Sequence, residues 1–185
     1  MSNFTDFFAS GGNNVLEYVS YYADGRTITL NQGNVTVPNI TASTDVTSTT
    51  QIDWPGTDIA YTPPSGTKYV HYNASLQIRY HDDSHMSPGW VVNFDGTDIA
   101  KSRGGELQQN SYEQQLQADL VMKITGGSDN YAAQEIGTWT SNKTIKVKIG
   151  TYSNSYDFKI NGIYHYLGQA PNSICQPVIT IVAFK

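Results

Sequence analysis

His81, Asp82, Asp83 and His85 crowd one polar stretch of this chain. Imidazole and carboxylate groups ligate divalent cations, which makes His81, Asp83 and His85 the metal candidates. A run of neighbours does not by itself supply the convergent geometry an ion needs. A solvated turn between strands is the commoner fate of such a run, and no cofactor is expected. A second chemistry resides in the aromatic residues, Trp54, Trp90, Trp139 and thirteen Tyr. Flat rings stack on the apolar faces of sugars, but they also fill β cores and subunit interfaces. Tyr21, Tyr131, Tyr152 and Tyr164 lie beside turns, where sandwich domains carry function. Tyr131, Tyr152 and Tyr164 are therefore the candidates for contact with a glycan. A third feature is Phe4, Phe7 and Phe8, spaced like one helical turn and followed by Gly11-Gly12. Each Phe gains about 1.5–3 kcal/mol on full burial, so the cluster suits a peptide that docks into a partner. No Ser sits in a nucleophile elbow, and neither Gly104-Gly105 nor Gly126-Gly127 leads into the Lys-Ser or Lys-Thr start of a phosphate-loop helix. The protein is not expected to be an enzyme.

What must position these residues is a set of strands. From Thr67 to Tyr80 every second residue is apolar or aromatic (Val70, Tyr72, Ala74, Leu76, Ile78, Tyr80), and the interleaved set is polar. A strand sends successive side chains to opposite faces, so this is a long strand with one buried side. Thr62-Pro63-Pro64-Ser65-Gly66 turns the chain ahead of it. Leu116, Ala118, Leu120, Met122 and Ile124 keep one parity and predict a second long strand, although Leu, Gln and Glu between 106 and 120 also favour helix. Trp90, Val92 and Phe94 alternate and close at Asp95-Gly96; Ile145, Val147 and Ile149 face in while Lys146 and Lys148 face out. Tyr156, Phe158 and Ile160 alternate before a bend at Gly162.

Toward the N-terminus, Leu16, Tyr18, Ser20 and Tyr22 alternate, and Asp24-Gly25 is a hairpin cue. Residues 1–45 carry too few apolar side chains for a core and predict an anchoring arm, with a jelly-roll domain over 46–185. Val178 to Phe184 differs from the other strands in being apolar on both parities. Such a strand is either covered on both faces within its own chain or shielded by another subunit. No helical element is available as a cover, so Val178, Ile179, Ile181, Val182 and Phe184 are assigned to an oligomer interface. Many short strands without a convincing helix predict an all-β protein, an antiparallel β-sandwich of jelly-roll type with an extended N-terminal arm.

Composition narrows the partners. Only 15% of residues are charged and the net charge is −5, so the clustered Lys and Arg of a nucleic-acid footprint are missing and no nucleic acid is expected. No stretch approaches the roughly 20 apolar residues that span a bilayer, so no membrane insertion is expected. Residues 1–12 lack the basic-then-apolar pattern of a cleaved signal. Cys175 is the single cysteine, which excludes an internal disulfide and suits synthesis in a reducing cytoplasm.

Five stretches carry a resemblance: Tyr22-Ala23-Asp24-Gly25-Arg26-Thr27-Ile28, the run from Ile59 to Lys68, the run from Val92 to Ile99, the run from Trp139 to Lys146, and Gln176-Pro177-Val178-Ile179-Thr180-Ile181. Together they resemble virion proteins of marine phages and large algal viruses, whose C-terminal half is a jelly roll similar to the tumour-necrosis-factor and C1q heads. The resemblance implies a viral structural protein, a capsid, tail-fibre or spike component assembled in the host cytoplasm. It implies a homo-oligomer, trimer preferred, whose N-terminal segment docks on other capsid or tail proteins. Two alternatives stay open: a glycan- or receptor-binding head for host attachment, and a fivefold vertex (penton) jelly roll. The chain departs from that family in having no long shaft or collagen-like repeat, which favours a compact component.

Overall fold

A computed structural model describes residues 14–80, 87–105, 113–163 and 173–185. The alternation around residue 70 is the strand Tyr69–Tyr80. Val70, Tyr72, Ala74, Leu76 and Ile78 are all buried along it. Glu113–Ile124 lies antiparallel beside it, from Glu113 opposite Arg79 to Lys123 opposite Tyr69. Its burial alternates strictly through Leu116, Ala118, Leu120 and Met122, so the two-residue period prevails over the helical propensity of Leu, Gln and Glu. On the other edge of Tyr69–Tyr80 lie Val178–Phe184 and, at its end, Phe158–Ile160. Val15–Tyr22 closes that sheet, antiparallel to Val178–Phe184.

The second sheet is built on Pro88–Phe94 and Lys143–Thr151, again antiparallel. Ile52–Asp53 and Ile59–Tyr61 flank Lys143–Thr151; Thr97–Asp98 and Gly104–Gly105 flank Pro88–Phe94. Eight positions follow in chain order: Val15–Tyr22; Ile52–Asp53 with Ile59–Tyr61; Tyr69–Tyr80; Pro88–Phe94; Thr97–Asp98 with Gly104–Gly105; Glu113–Ile124; Lys143–Thr151; Val178–Phe184. One sheet then reads 1-8-3-6 and the other 2-7-4-5. The antiparallel pairs 1·8, 2·7, 3·6 and 4·5 are the rungs of one long hairpin rolled into two layers. That is the jelly roll, two Greek keys facing each other. Its tip is tight: Asp95 (φ 49°) and Gly96 (φ 90°) both adopt the left-handed backbone that a two-residue hairpin turn requires, and Phe94 pairs with Thr97.

The core between the layers joins Tyr72, Leu76, Leu120, Ile179 and Ile181 to Trp54, Tyr61, Phe94, Val147 and Ile149. Tyr21, Leu30, Val37 and Val46 belong to the same cluster. The expected division at residue 45 therefore separates no packing unit among the described residues: residues 14–46 supply an edge strand and core side chains to the sandwich. The physical reason is that this segment has too little apolar surface to enclose a core of its own and buries what it has against the sandwich. The Asp24-Gly25 turn likewise joins no paired strands. Val15–Tyr22 is taken by Val178–Phe184, while Thr27–Leu30 forms its hairpin with Gly33–Thr36 around Asn31-Gln32.

Buried polar groups fasten the layers. The Thr57 hydroxyl donates to Trp54 O (2.8 Å) and accepts from Val147 N (2.9 Å), and the Tyr72 hydroxyl donates to Thr57 O (2.8 Å). The Trp139 indole donates to Tyr61 O at 2.8 Å. The Tyr61 hydroxyl in turn donates to Glu17 Oε2 at 2.8 Å, tying the first strand to the opposite sheet.

Candidate functional site

The two outer faces of the sandwich differ in chemistry. Over the 2-7-4-5 sheet, Lys146 pairs with Asp53 (2.7 Å), Lys148 with Asp98 (3.3 Å) and Lys143 with Asp95 (3.6 Å). Asp98 also accepts from Asn93 Nδ2 at 2.6 Å. Partial burial opposes ionisation of Asp98, yet the hydrogen bonds from Asn93 and Lys148 prevail and hold its carboxyl below the usual range. That face is suited to water.

Over the 1-8-3-6 sheet, register places outward residues in rows. Tyr22 lies opposite Val178, Ser20 opposite Thr180, and Tyr18 opposite Val182. The rows continue onto Tyr69–Tyr80, with Val182 opposite His71 and Phe184 opposite Tyr69, and then to Val121 opposite His71. Tyr18 is 65% exposed, Tyr22 52% and Val121 42%. The rings of Phe184 and Tyr69 stack at 5.5 Å with 20° between planes. Polar contacts on this face are the Ser20 and Thr180 hydroxyls at 3.0 Å, Gln115 Nε2 donating to Ser75 Oγ at 2.6 Å and a His71–Asp119 pair, with the ion pairs Lys123–Glu135 (3.6 Å) and Lys159–Asp45 toward its edges. Exposed aromatic and aliphatic rows alternate here with polar ones, and exposed large apolar side chains grouped in this way are characteristic of interaction surfaces.

The interface assignment needs correction at two residues. Ile179 and Ile181 point into the chain's own core and are fully buried, as is Ala183. Val178, Val182 and Phe184 occupy the opposite, half-buried side. Its own sandwich covers one parity of the strand, and the other looks outward. Tyr18, Tyr22 and Val121 were missed as members of the patch. In Val15–Tyr22 both parities carry apolar or aromatic residues, and a register shift falls between Val15 and Glu17. Val19 and Tyr21 take the inner side, leaving Tyr18, Ser20 and Tyr22 outside. The available signal was the Tyr-x-Ser-x-Tyr spacing set against Val-x-Thr-x-Val in the last strand.

Of the four aromatic residues beside turns, Tyr152 alone stands free among the described residues, 81% exposed. Tyr21 is only 2% exposed, and burial, with the charge of Asp58, pushes its hydroxyl pKa upward. Tyr131 packs against the core, with its ring 6.4 Å from that of Phe94. Its hydroxyl donates to Asp129 Oδ2 at 2.8 Å; desolvation first, and that carboxylate second, raise its pKa. Tyr131 is therefore a brace for its turn and not a stacking platform. Tyr164 lies outside the described residues, as do His81, Asp83 and His85 and the anchoring candidates Phe4, Phe7 and Phe8. Among the described residues no cluster of His, Cys, Asp or Glu could hold a metal ion.

Two grooves open at opposite ends of Lys143–Thr151. One, of about 370 Å³, is lined by residues that include Gln51, Gly89, Gly150 and Tyr152. The other, of about 380 Å³, is lined by residues that include Pro63, Pro64, Ile124 and Trp139. No helix in the described residues is long and apolar enough to cross a membrane.

Comparison with known proteins gives distant structural similarity only. No protein-family model and no curated protein sequence matches the chain. Among solved structures, it is similar to the C-terminal domain of EclA, described as a sugar-binding protein, with 15% identity and a TM-score of 0.36 over 86% of this chain and 95% of that one. It is similar to the CBM36-1 domain of a multidomain xylanase from the hindgut metagenome of Trinervitermes trinervoides, with 9% identity and a TM-score of 0.35 over 89% and 96%. A chain of infectious bursal disease virus, Gx strain, gives 9% identity and a TM-score of 0.38, covering 91% of this chain and 36% of that one.

Proposed function

We propose that this chain is a non-enzymatic structural subunit of a virion, a jelly roll that assembles with further copies of itself through the outer face of its 1-8-3-6 sheet. The observation that carries the proposal is the block formed by Tyr18, Ser20 and Tyr22 against Val182, Thr180 and Val178. Its hydroxyl row sits between two apolar rows, so it reads the same from either end. A second copy turned over onto it sets apolar row on apolar row and hydroxyl on hydroxyl, the self-complementarity of an isologous contact. Four strands about 4.8 Å apart and seven residues rising about 3.3 Å each offer a patch of roughly 20 by 20 Å. A pair of such patches buries on the order of 1,000 Å², the lower bound for a specific interface. The threefold assembly implied by the family resemblance uses the same face with unlike contacts, and the mass of the oligomer distinguishes two copies from three.

The virion role is supported by the motifs between Tyr22 and Ile181 and by the rolled topology in which they sit. Residues 1–12, with Phe4, Phe7 and Phe8, are the segment that docks on neighbouring capsid or tail proteins. Antibodies raised against the chain test this role on purified particles: gold label on intact virions is expected, and label confined to the host lysate would contradict it.

A further inference from the structure

We infer that the groove beside Tyr152 is a binding site for a neutral sugar ring, on a different part of the molecule from the assembly face. Tyr152 is the most exposed large hydrophobic side chain among the described residues. An aromatic ring kept in water beside a concavity is the platform on which the apolar face of a sugar stacks, with geometry that solvent alone does not select.

The backbone around Tyr152 is fixed from two segments. Tyr152 N donates to Ser87 O (2.9 Å) and Thr151 N to Ser48 O (3.1 Å). Asn154 Oδ1 accepts from Thr49 N at 2.9 Å, which ties the far side of the turn to the groove wall. A ring mounted on a braced turn loses little freedom when a ligand arrives, so less of the contact energy is spent on ordering.

The groove's lining chooses the ligand's charge. Thr49, Gln51, Ser87, Thr151 and Tyr152 supply hydroxyl and amide groups, Pro88 an apolar wall, and among the described residues no lining side chain is charged. Phosphates, sulfates and acidic sugars would find no counter-ion among the described lining residues, whereas the hydroxyls of a neutral hexose match such donors and acceptors. Depth comes from the strands: Gly105 pairs with Gly89 and Gly89 with Gly150, so the floor is bare backbone across three strands. The groove at the other end has a similar volume but lacks the platform. Its Trp139 is 4% exposed and donates its indole N–H to the Tyr61 carbonyl.

Saturation-transfer NMR on the full chain tests the site, with maltotriose, cellotriose and mannotriose as neutral probes and 3′-sialyllactose as the charged comparator. At least one neutral trisaccharide should bind. Tyr152→Ala should weaken that binding by about tenfold or more, and Tyr152→Phe should preserve it. Gly89→Val blocks the floor without touching the platform, since a Cβ there meets nothing closer than Gly104 O at 4.0 Å. It should abolish the signal in a chain that melts normally. Val182→Asp, on the assembly face, should leave binding intact, which separates a failure of this site from a failure of assembly. Absence of binding by all three neutral probes, full affinity in Tyr152→Ala, or equal binding of the sialylated probe would each overturn the assignment.

Discussion

Asn161 adopts a left-handed backbone at φ 59° and is wholly buried, yet both ends of its amide are satisfied. Its Oδ1 accepts from Trp54 Nε1 at 2.7 Å and its Nδ2 donates to Pro55 O at 2.9 Å. Trp54→Phe strands that buried acceptor and also leaves a small cavity, so it should cost at least about 1–3 kcal/mol in urea denaturation. A midpoint unchanged from wild type would mean the bond contributes nothing net. Asp129 gives a pH prediction. The Gly137 amide, donating to Oδ1 at 2.7 Å, and the Tyr131 hydroxyl hold its carboxyl below the usual carboxylate range. A depressed folded-state pKa contributes stability above the unfolded value of about 4 and loses it as pH falls through the lower folded value. Asp129→Asn should therefore melt lower at neutral pH, with the gap to wild type closing as pH drops below about 4. Parallel melting curves at every pH would show the contacts to be energetically idle. Neither partnership was legible in the sequence, because Trp54 and Asn161 lie far apart in the chain and a polar residue's partner leaves no periodic trace.

Strands were the most legible elements, and the last one shows both the reach and the limit of that legibility. Two-sided apolarity in Val178 to Phe184 set it apart from the other strands, but did not show which parity faced home. Tertiary pairing decided it: Ile181 is opposite Tyr72 in the core, and Val182 is opposite Tyr18 outside. Ile181→Asp buries an uncompensated carboxylate and costs several kcal/mol, a large share of the 5–15 kcal/mol that holds such a domain together. It should yield unfolded or insoluble chain. Val182→Asp should keep the wild-type circular dichroism and melting temperature. A well-folded Ile181→Asp would place that strand's inner face elsewhere. Parity failed in Val15–Tyr22 for a related reason: both of its faces carry aromatic residues, so alternation alone could not orient it. Removing residues 1–12 separates docking from assembly. The shortened chain should form the same soluble oligomer yet fail to enter particles, and a monomer would instead assign Phe4, Phe7 and Phe8 to the self-contact.

At the scale of the whole molecule, turn cues and strand spacing were enough for an antiparallel sandwich, whereas the boundary at residue 45 and the Asp24-Gly25 hairpin followed local signals that long-range pairing overrode. Val15–Tyr22 finds its partner at the far end of the chain, and that closure makes residues 14–46 part of the roll. It also creates the outward block of Tyr18, Tyr22, Val178 and Val182, since neither strand alone forms a patch. The proposed assembly through that block therefore depends on the closed molecule. Sedimentation velocity over a range of protein concentrations tests it most directly. Wild-type chain should sediment as a discrete species of two or three copies and Val182→Asp as a folded single chain; a wild-type protein that remains a single chain at the highest concentration would contradict the account.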